Sequence, residues 1–142
     1  MKNKVGKSFV MIMVIIAICA LLLRIAVKEI IKLNITHNES HALDIIKLIS
    51  TALENYAKDN HGTFPTNFSL LTQGKPAYLD KDYINISPFR GYIFDCSKLE
   101  AGGYSCTATP MKCKLSGNMV YNVITGGILI SDECSKREKE LT

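Results

Sequence analysis

Cysteines are the residues of this chain with the most evident capacity for chemistry. Cys19 lies inside an apolar run, and the other four, Cys96, Cys106, Cys113 and Cys134, lie in the second half of the chain. Their spacing lacks the close pairs that a zinc site needs. Four cysteines in a small exported domain instead indicate two disulfides. Cys96 and Cys106 flank a short connection, which favours a disulfide between them. A second disulfide, between Cys113 and Cys134, would then tie a later loop to the tail. Other pairings remain open.

The remaining reactive residue types form no recognisable catalytic or metal-binding pattern. The histidines have no serine or cysteine partner in a known arrangement, so we interpret them as structural or solvated. The acidic residues of the second half lack the regular spacing of a calcium loop. We therefore expect no enzymatic activity, no cofactor and no metal. The residues concerned are His37, His41, His61, Asp80, Asp82, Asp132 and Glu133.

An apolar run of fifteen residues, 9–23, dominates the N-terminal part of the chain. At a helical rise of about 1.5 Å per residue it is shorter than a bilayer core of about 30 Å, so the span must extend to about residue 27. Three lysines precede it, and the positive-inside rule then places the N-terminus in the cytoplasm. The four later cysteines support the same orientation, since disulfides form in the oxidising compartment on the side of the membrane opposite the cytoplasm.

The rest of the chain is long enough for one small domain. Residues 1–6 form a basic leader, 7–37 a transmembrane helix and stem, 38–135 a periplasmic head, and 136–142 a charged tail that we expect to be solvated and frayed. The net charge of +4 is dispersed along the chain. No concentrated basic face indicates a nucleic-acid partner, and none is expected.

The hydrophobic pattern predicts an α+β head. Apolar residues recur at helical spacing over 42–56, and Gly62 and Pro65 are typical of a helix end. Poor helix formers over 34–38 predict a bend or loosened turn. Strands are predicted at 92–96, 103–109, 119–125 and 128–131, the last two joined by a two-residue hairpin at Gly126 and Gly127. The predicted fold is a long helix, membrane-spanning and then amphipathic, packed on an antiparallel sheet of three or four strands.

Two segments resemble one family. The segment 6–17, GKSFVMIMVIIA, resembles the class III signal of type IV pilins and type II secretion pseudopilins, in which Gly is followed by Phe, Thr or Ser, Leu, Ile, Glu and an apolar run. It departs at Lys7, where the family has Phe, and at Met11, where the family has Glu. The segment 48–65, LISTALENYAKDNHGTFP, resembles the family phrase "x-L-x-x-A-L-x-x-Y-x-x-D-N-G-x-Y-P".

The resemblance implies a structural subunit rather than an enzyme. A prepilin peptidase would cut after Gly6 and methylate the new N-terminus at Lys7. Phe9, Met11, Ala17 and Ala20 would pack against other pilin or pseudopilin helices in the bacterial inner membrane, with the head in the periplasm. Met11 removes the carboxylate that sets filament register in the family. The alternative is a signal-anchored periplasmic binding module that never enters a filament.

Overall fold

The computed structural model describes residues 4–140, with side chains described from 8 to 137. Its architecture is α+β, with a long helix and a four-stranded antiparallel sheet, as the sequence predicts. The chain divides into two compact units, one ending at Asn34 and the other beginning at Ile35. The elements are α1 Lys4–Asp59, α2 Leu70–Gln73, β1 Tyr92–Glu100, β2 Gly103–Pro110, β3 Met119–Ile124, β4 Ile128–Glu133 and α3 Cys134–Glu140.

The second half of α1 supplies one side of the core of the second unit. Ala42, Ile46, Ile49 and Leu53 are almost fully buried, and they recur every three or four residues on one face of the helix. They belong to the same hydrophobic cluster as residues of the sheet, including Tyr92 and others on β1 to β3. Burial of this apolar stripe, rather than helix propensity, is what holds this half of α1 in place.

The loosened turn expected at 34–38 is absent, and α1 is helical without interruption through this segment. Asparagine disfavours helices largely because its side chain competes for nearby backbone groups. The Asn38 amide is instead engaged at long range, where Nδ2 donates to the carbonyl oxygen of Ser116 at 3.0 Å. The prediction of a loosened turn is wrong, and at Asn38 this tertiary hydrogen bond removes the local competitor.

The sheet has the strand order β1-β2-β3-β4, with every neighbouring pair antiparallel. Tyr92, Phe94, Tyr104 and Val123 are buried side chains of β1, β2 and β3. Every residue of β4 is exposed, so this edge strand contributes little to the core. The predicted positions of all four strands are confirmed.

The hairpin between β3 and β4 has three connecting residues rather than the predicted two. Ile124 pairs with Ile128, which leaves 125–127 in the turn. Gly126 and Gly127 adopt φ values of 86° and 71°, a left-handed conformation that glycine enters without steric cost. Thr125, the first residue of the turn, is held against β2, since its N–H donates to the carbonyl oxygen of Tyr104 at 3.1 Å and its Oγ1 accepts from the backbone N–H of Tyr104 at 2.8 Å.

The helix stop and the following loop are anchored by local contacts. Gly62, with φ 82°, donates its N–H to the carbonyl oxygen of Ala57 at 2.7 Å, which confirms its predicted role at the end of α1. Leu71, Leu79 and Tyr83 pin the loop 66–90 to the core. The backbone of the predicted tail is helical in α3 as far as Glu140, and Lys136 and Arg137 are exposed, as a solvated tail requires. Residues 141–142 lie outside the described part, and fraying stays a prediction.

Candidate functional site

The first half of α1 is a helix long and apolar enough to cross a membrane. Every side chain from Ser8 to Ile30 is exposed. Phe9 is 64 % exposed and Met11 is 66 % exposed. An apolar surface of this extent needs lipid or other protein around it. This supports a single-pass membrane anchor.

The four residues predicted to pack against neighbouring helices do not share one face of α1. With 3.6 residues per turn, Phe9 and Ala20 are about three turns apart and project from the same side. Ala17 lies one turn before Ala20 and beside it, which gives this side two small residues where another helix can approach closely. Met11 projects about 200° away from Phe9. The residues predicted to pack against other helices therefore lie on two sides of α1.

The processing point predicted at Gly6 and Lys7 lies within the helical backbone of α1. The side chains of both residues lie outside the part of the chain whose side chains are described. Cleavage after Gly6 and methylation at Lys7 therefore stay predictions.

Two disulfides tie the head together. Cys96 and Cys106 are paired across β1 and β2, and Cys113 is joined to Cys134 at the start of α3. These are the pairings that the sequence favours. Cys19, in the apolar half of α1, is free and exposed. The second disulfide closes the loop 113–118 against the C-terminal segment.

This disulfide-closed loop also docks on α1. The Glu39 carboxylate accepts a hydrogen bond from the backbone N–H of Asn118 at 2.6 Å, beside the Asn38 contact described above. Gly117 lies against the ring of Tyr92, so closely that an added Cβ would overlap the phenol oxygen. The Tyr92 hydroxyl donates to the carbonyl oxygen of Met119 at 2.9 Å. The loop is therefore held by a disulfide, two hydrogen bonds from α1 and one close aromatic contact.

A polar network crosses the core between α1 and the sheet. The Tyr104 hydroxyl lies 2.9 Å from Ser50 Oγ and donates to Glu54 Oε1 at 2.9 Å. Glu54 Oε1 also accepts from the backbone N–H of Gly126 at 2.8 Å, which links α1 to the β3–β4 hairpin. Burial raises the pKa of Tyr104 to about 12, so the hydroxyl stays protonated and is unsuited to act as a base. This network is a structural anchor.

An open groove lies next to this network. It has a volume of about 360 Å³, with polar walls from Lys47, Thr51 and Asn55 and an apolar floor from Val123 and Leu129. Its volume is at the lower end of the range of small-molecule sites. Among the residues that the structure describes, no group of three or more His, Cys, Asp or Glu side chains is arranged to hold a metal ion.

Sequence reasoning missed the residues that carry these long-range contacts. The sequence pattern places Ser50 and Glu54 in an amphipathic helix, and nothing in their spacing indicates a partner on β2 fifty or more residues away. A buried serine on the apolar face of a helix is the one signal that was available, since a buried hydroxyl requires a hydrogen-bond partner.

Comparison with known proteins found no family model, no curated protein and no solved structure that matches the chain. Its function has to be inferred from its own chemistry and geometry.

Proposed function

We propose that the chain is a pilin-like or pseudopilin-like structural subunit of a type IV pilus or type II secretion filament. The observation that carries this proposal is the nature of α1. One half is apolar and exposed on all sides, and the other half is the core helix of a small disulfide-bonded α+β head. A subunit of a helical filament needs both properties, since the first half must exchange lipid for neighbouring helices while the head stays folded.

In this proposal the subunit is held in the bacterial inner membrane with its head in the periplasm. A prepilin peptidase removes the leader after Gly6, and Lys7 becomes the N-terminus. Assembly then buries 9–27 among other helices. Lipid is as apolar as the helix, so close van der Waals packing drives this step, and Ala17 and Ala20 provide the close approach.

Met11 restricts which kind of subunit this is. A carboxylate inside the bilayer is costly unless a neighbour neutralises it, which makes a buried Glu a strong device for setting register. Met11 provides only an apolar contact at this position. The proposal is therefore a minor subunit that joins a filament built by others, rather than an abundant subunit that sets its register.

The test is cross-linking of the membrane helix in cells. Cys19 is replaced by Ser, and single cysteines are introduced as Ala20→Cys or Met11→Cys in a strain with the assembly machinery. A membrane-permeant oxidant should then give a disulfide adduct with a partner chain carrying a matched cysteine. The same variants with Gly6→Leu, which blocks cleavage, are the control. Adducts that require Gly6 support assembly, whereas equal adducts in both or none in either contradict it.

A second candidate is a signal-anchored periplasmic binding module. The groove beside Lys47 and Thr51 favours it, as does the apolar Met11 in place of the carboxylate. This module would keep its leader and give no adduct in the cross-linking experiment.

A further inference from the structure

Two of the three histidines meet on the surface of α1. His37 and His41 are one turn apart, with their Nε2 atoms at 3.1 Å and their ring centroids at 4.4 Å. Arg90, which precedes β1, places a guanidinium nitrogen 2.9 Å from Nε2 of His41. The sequence alone indicates only structural or solvated side chains at these positions. The structure brings them together with a residue 49 positions away.

The hydrogen bonds determine the tautomer of each ring. A guanidinium group only donates, so Nε2 of His41 must be an acceptor and its proton must lie on Nδ1. Nε2 of His37 must then be the donor in the contact between the rings. Nε2 of His41 is thus a lone-pair nitrogen with two donors, Arg90 and His37, within 3.1 Å.

Arg90 competes with a metal ion for His41. Its guanidinium nitrogen lies 2.9 Å from Nε2 of His41 and occupies the lone pair that a metal ion would need.

The separation of the two nitrogens matches that of neighbouring ligands on one metal ion. Histidine nitrogens bind Zn²⁺ at about 2.0 to 2.1 Å. Two such ligands are about 3.4 Å apart at a tetrahedral angle and about 2.9 Å apart at a right angle, as in tetragonal copper or nickel sites. The observed 3.1 Å lies between these two values. The two nitrogens are therefore already at the spacing of neighbouring ligands, and binding requires the rings to turn until both lone pairs point at one ion.

We propose that His37 and His41 form a two-histidine site for a borderline divalent metal ion such as Cu²⁺, Ni²⁺ or Zn²⁺, in competition with Arg90. Binding moves the His37 proton from Nε2 to Nδ1 and releases Arg90, so no net proton leaves the pair. The remaining coordination positions are filled by water. Release of Arg90 links metal occupancy to the segment that enters β1.

The test is metal titration of the full-length protein, without a histidine tag, in detergent micelles at neutral pH. Cu²⁺ is the first probe because it binds nitrogen sites most tightly among the first-row divalent ions, and Zn²⁺ is the second. Calorimetry gives the affinity and stoichiometry, and electron paramagnetic resonance of Cu²⁺ reports the nitrogen ligands. The expected result is one ion per chain with two imidazole nitrogens.

Three variants separate this site from unspecific binding. His37→Ala leaves the Arg90 contact intact and should weaken binding about tenfold or more, because one ligand is lost. Arg90→Asn suits the left-handed backbone at this position, with φ 48°, and should tighten binding by removing the competitor. His61→Asn is the matched control, since it removes a histidine outside the pair at another left-handed position, with φ 57°. It should leave the affinity for the metal ion unchanged.

Two results would overturn the proposal. One is the absence of a bound ion with two imidazole nitrogens in the original protein. The other is an equal loss of binding for His37→Ala and His61→Asn. Neither result bears on assembly into a filament, so this site and the proposed function stand or fall separately.

Discussion

The hydroxyl of Tyr104 is the most informative single group to remove from the head. The perturbation is Tyr104→Phe, which deletes the oxygen that contacts Ser50 and Glu54 and leaves the buried ring unchanged. Ser50 is only 7 % exposed, so its hydroxyl loses its partner away from water. Glu54 keeps the bond from Gly126 and is less affected.

The magnitude follows from these two hydrogen bonds. Each is worth about 1 kcal/mol net, with more for a bond to a carboxylate and for a buried group left unpaired. Ser50 can recover part of the loss by bonding to a carbonyl of its own helix. The expected decrease in the free energy of unfolding is about 2 kcal/mol. For a head of roughly 100 residues this lowers the Tm by about 10 °C.

The assay is thermal unfolding of the full-length protein in detergent micelles, followed by near-ultraviolet circular dichroism of the tyrosines. The matched control is Tyr78→Phe, which removes an exposed hydrogen bond of 2.8 Å to Asp59. Water replaces that bond, so the control should shift the Tm by no more than about 2 °C. A Tyr104→Phe shift equal to or smaller than the control would refute the view that this network anchors α1 to the sheet.

Three further predictions concern the same head. Gly117→Ala should lower the free energy of unfolding by about 2 to 3 kcal/mol in urea titrations, since the new Cβ displaces the buried Tyr92 hydroxyl from its hydrogen bond; an unchanged midpoint would contradict the close contact. Replacing Cys113 and Cys134 together by Ser should lower the free energy of unfolding by about 3 kcal/mol in the same titration, because the disulfide no longer restricts the unfolded segment between these two residues. An unchanged free energy of unfolding would contradict a stabilising role for this disulfide. Burial raises the pKa of Tyr104 from 10.0 to about 12, so the unfolded chain loses the hydroxyl proton at a lower pH than the folded chain does. The free energy of unfolding should therefore fall as the pH rises from about 10 to 12. An equally steep fall in Tyr104→Phe would contradict the assignment of this pH dependence to Tyr104.

The sequence was sufficient for features that depend on local pattern. The strands follow β-branched and aromatic runs, and Gly62 adopts the left-handed conformation in the turn that follows the end of α1 at Asp59. The apolar stripe of α1 is buried where its spacing indicates. Each of these is decided within a few residues. The bounds of β1 extended further than predicted because its residues up to Glu100 continue the pairing with β2.

Features that depend on contacts between distant segments could not be predicted in this way. Asn38 disfavours a helix locally, yet its bond to the loop at Ser116 leaves α1 intact. His37 and His41 have the spacing of neighbours on a helix, but only the fold brings Arg90 to them. The group that completes each contact, the backbone carbonyl of Ser116 or the side chain of Arg90, lies 49 or more positions away, beyond any local periodicity.

The measurement that tests the proposed function most directly is the mass and N-terminal sequence of the protein from cells with and without an active prepilin peptidase. The account predicts a chain that begins at Lys7, with one added methyl group, only when the peptidase is active. A chain that begins at Met1 or Lys2 under both conditions would contradict it and favour the anchored binding module.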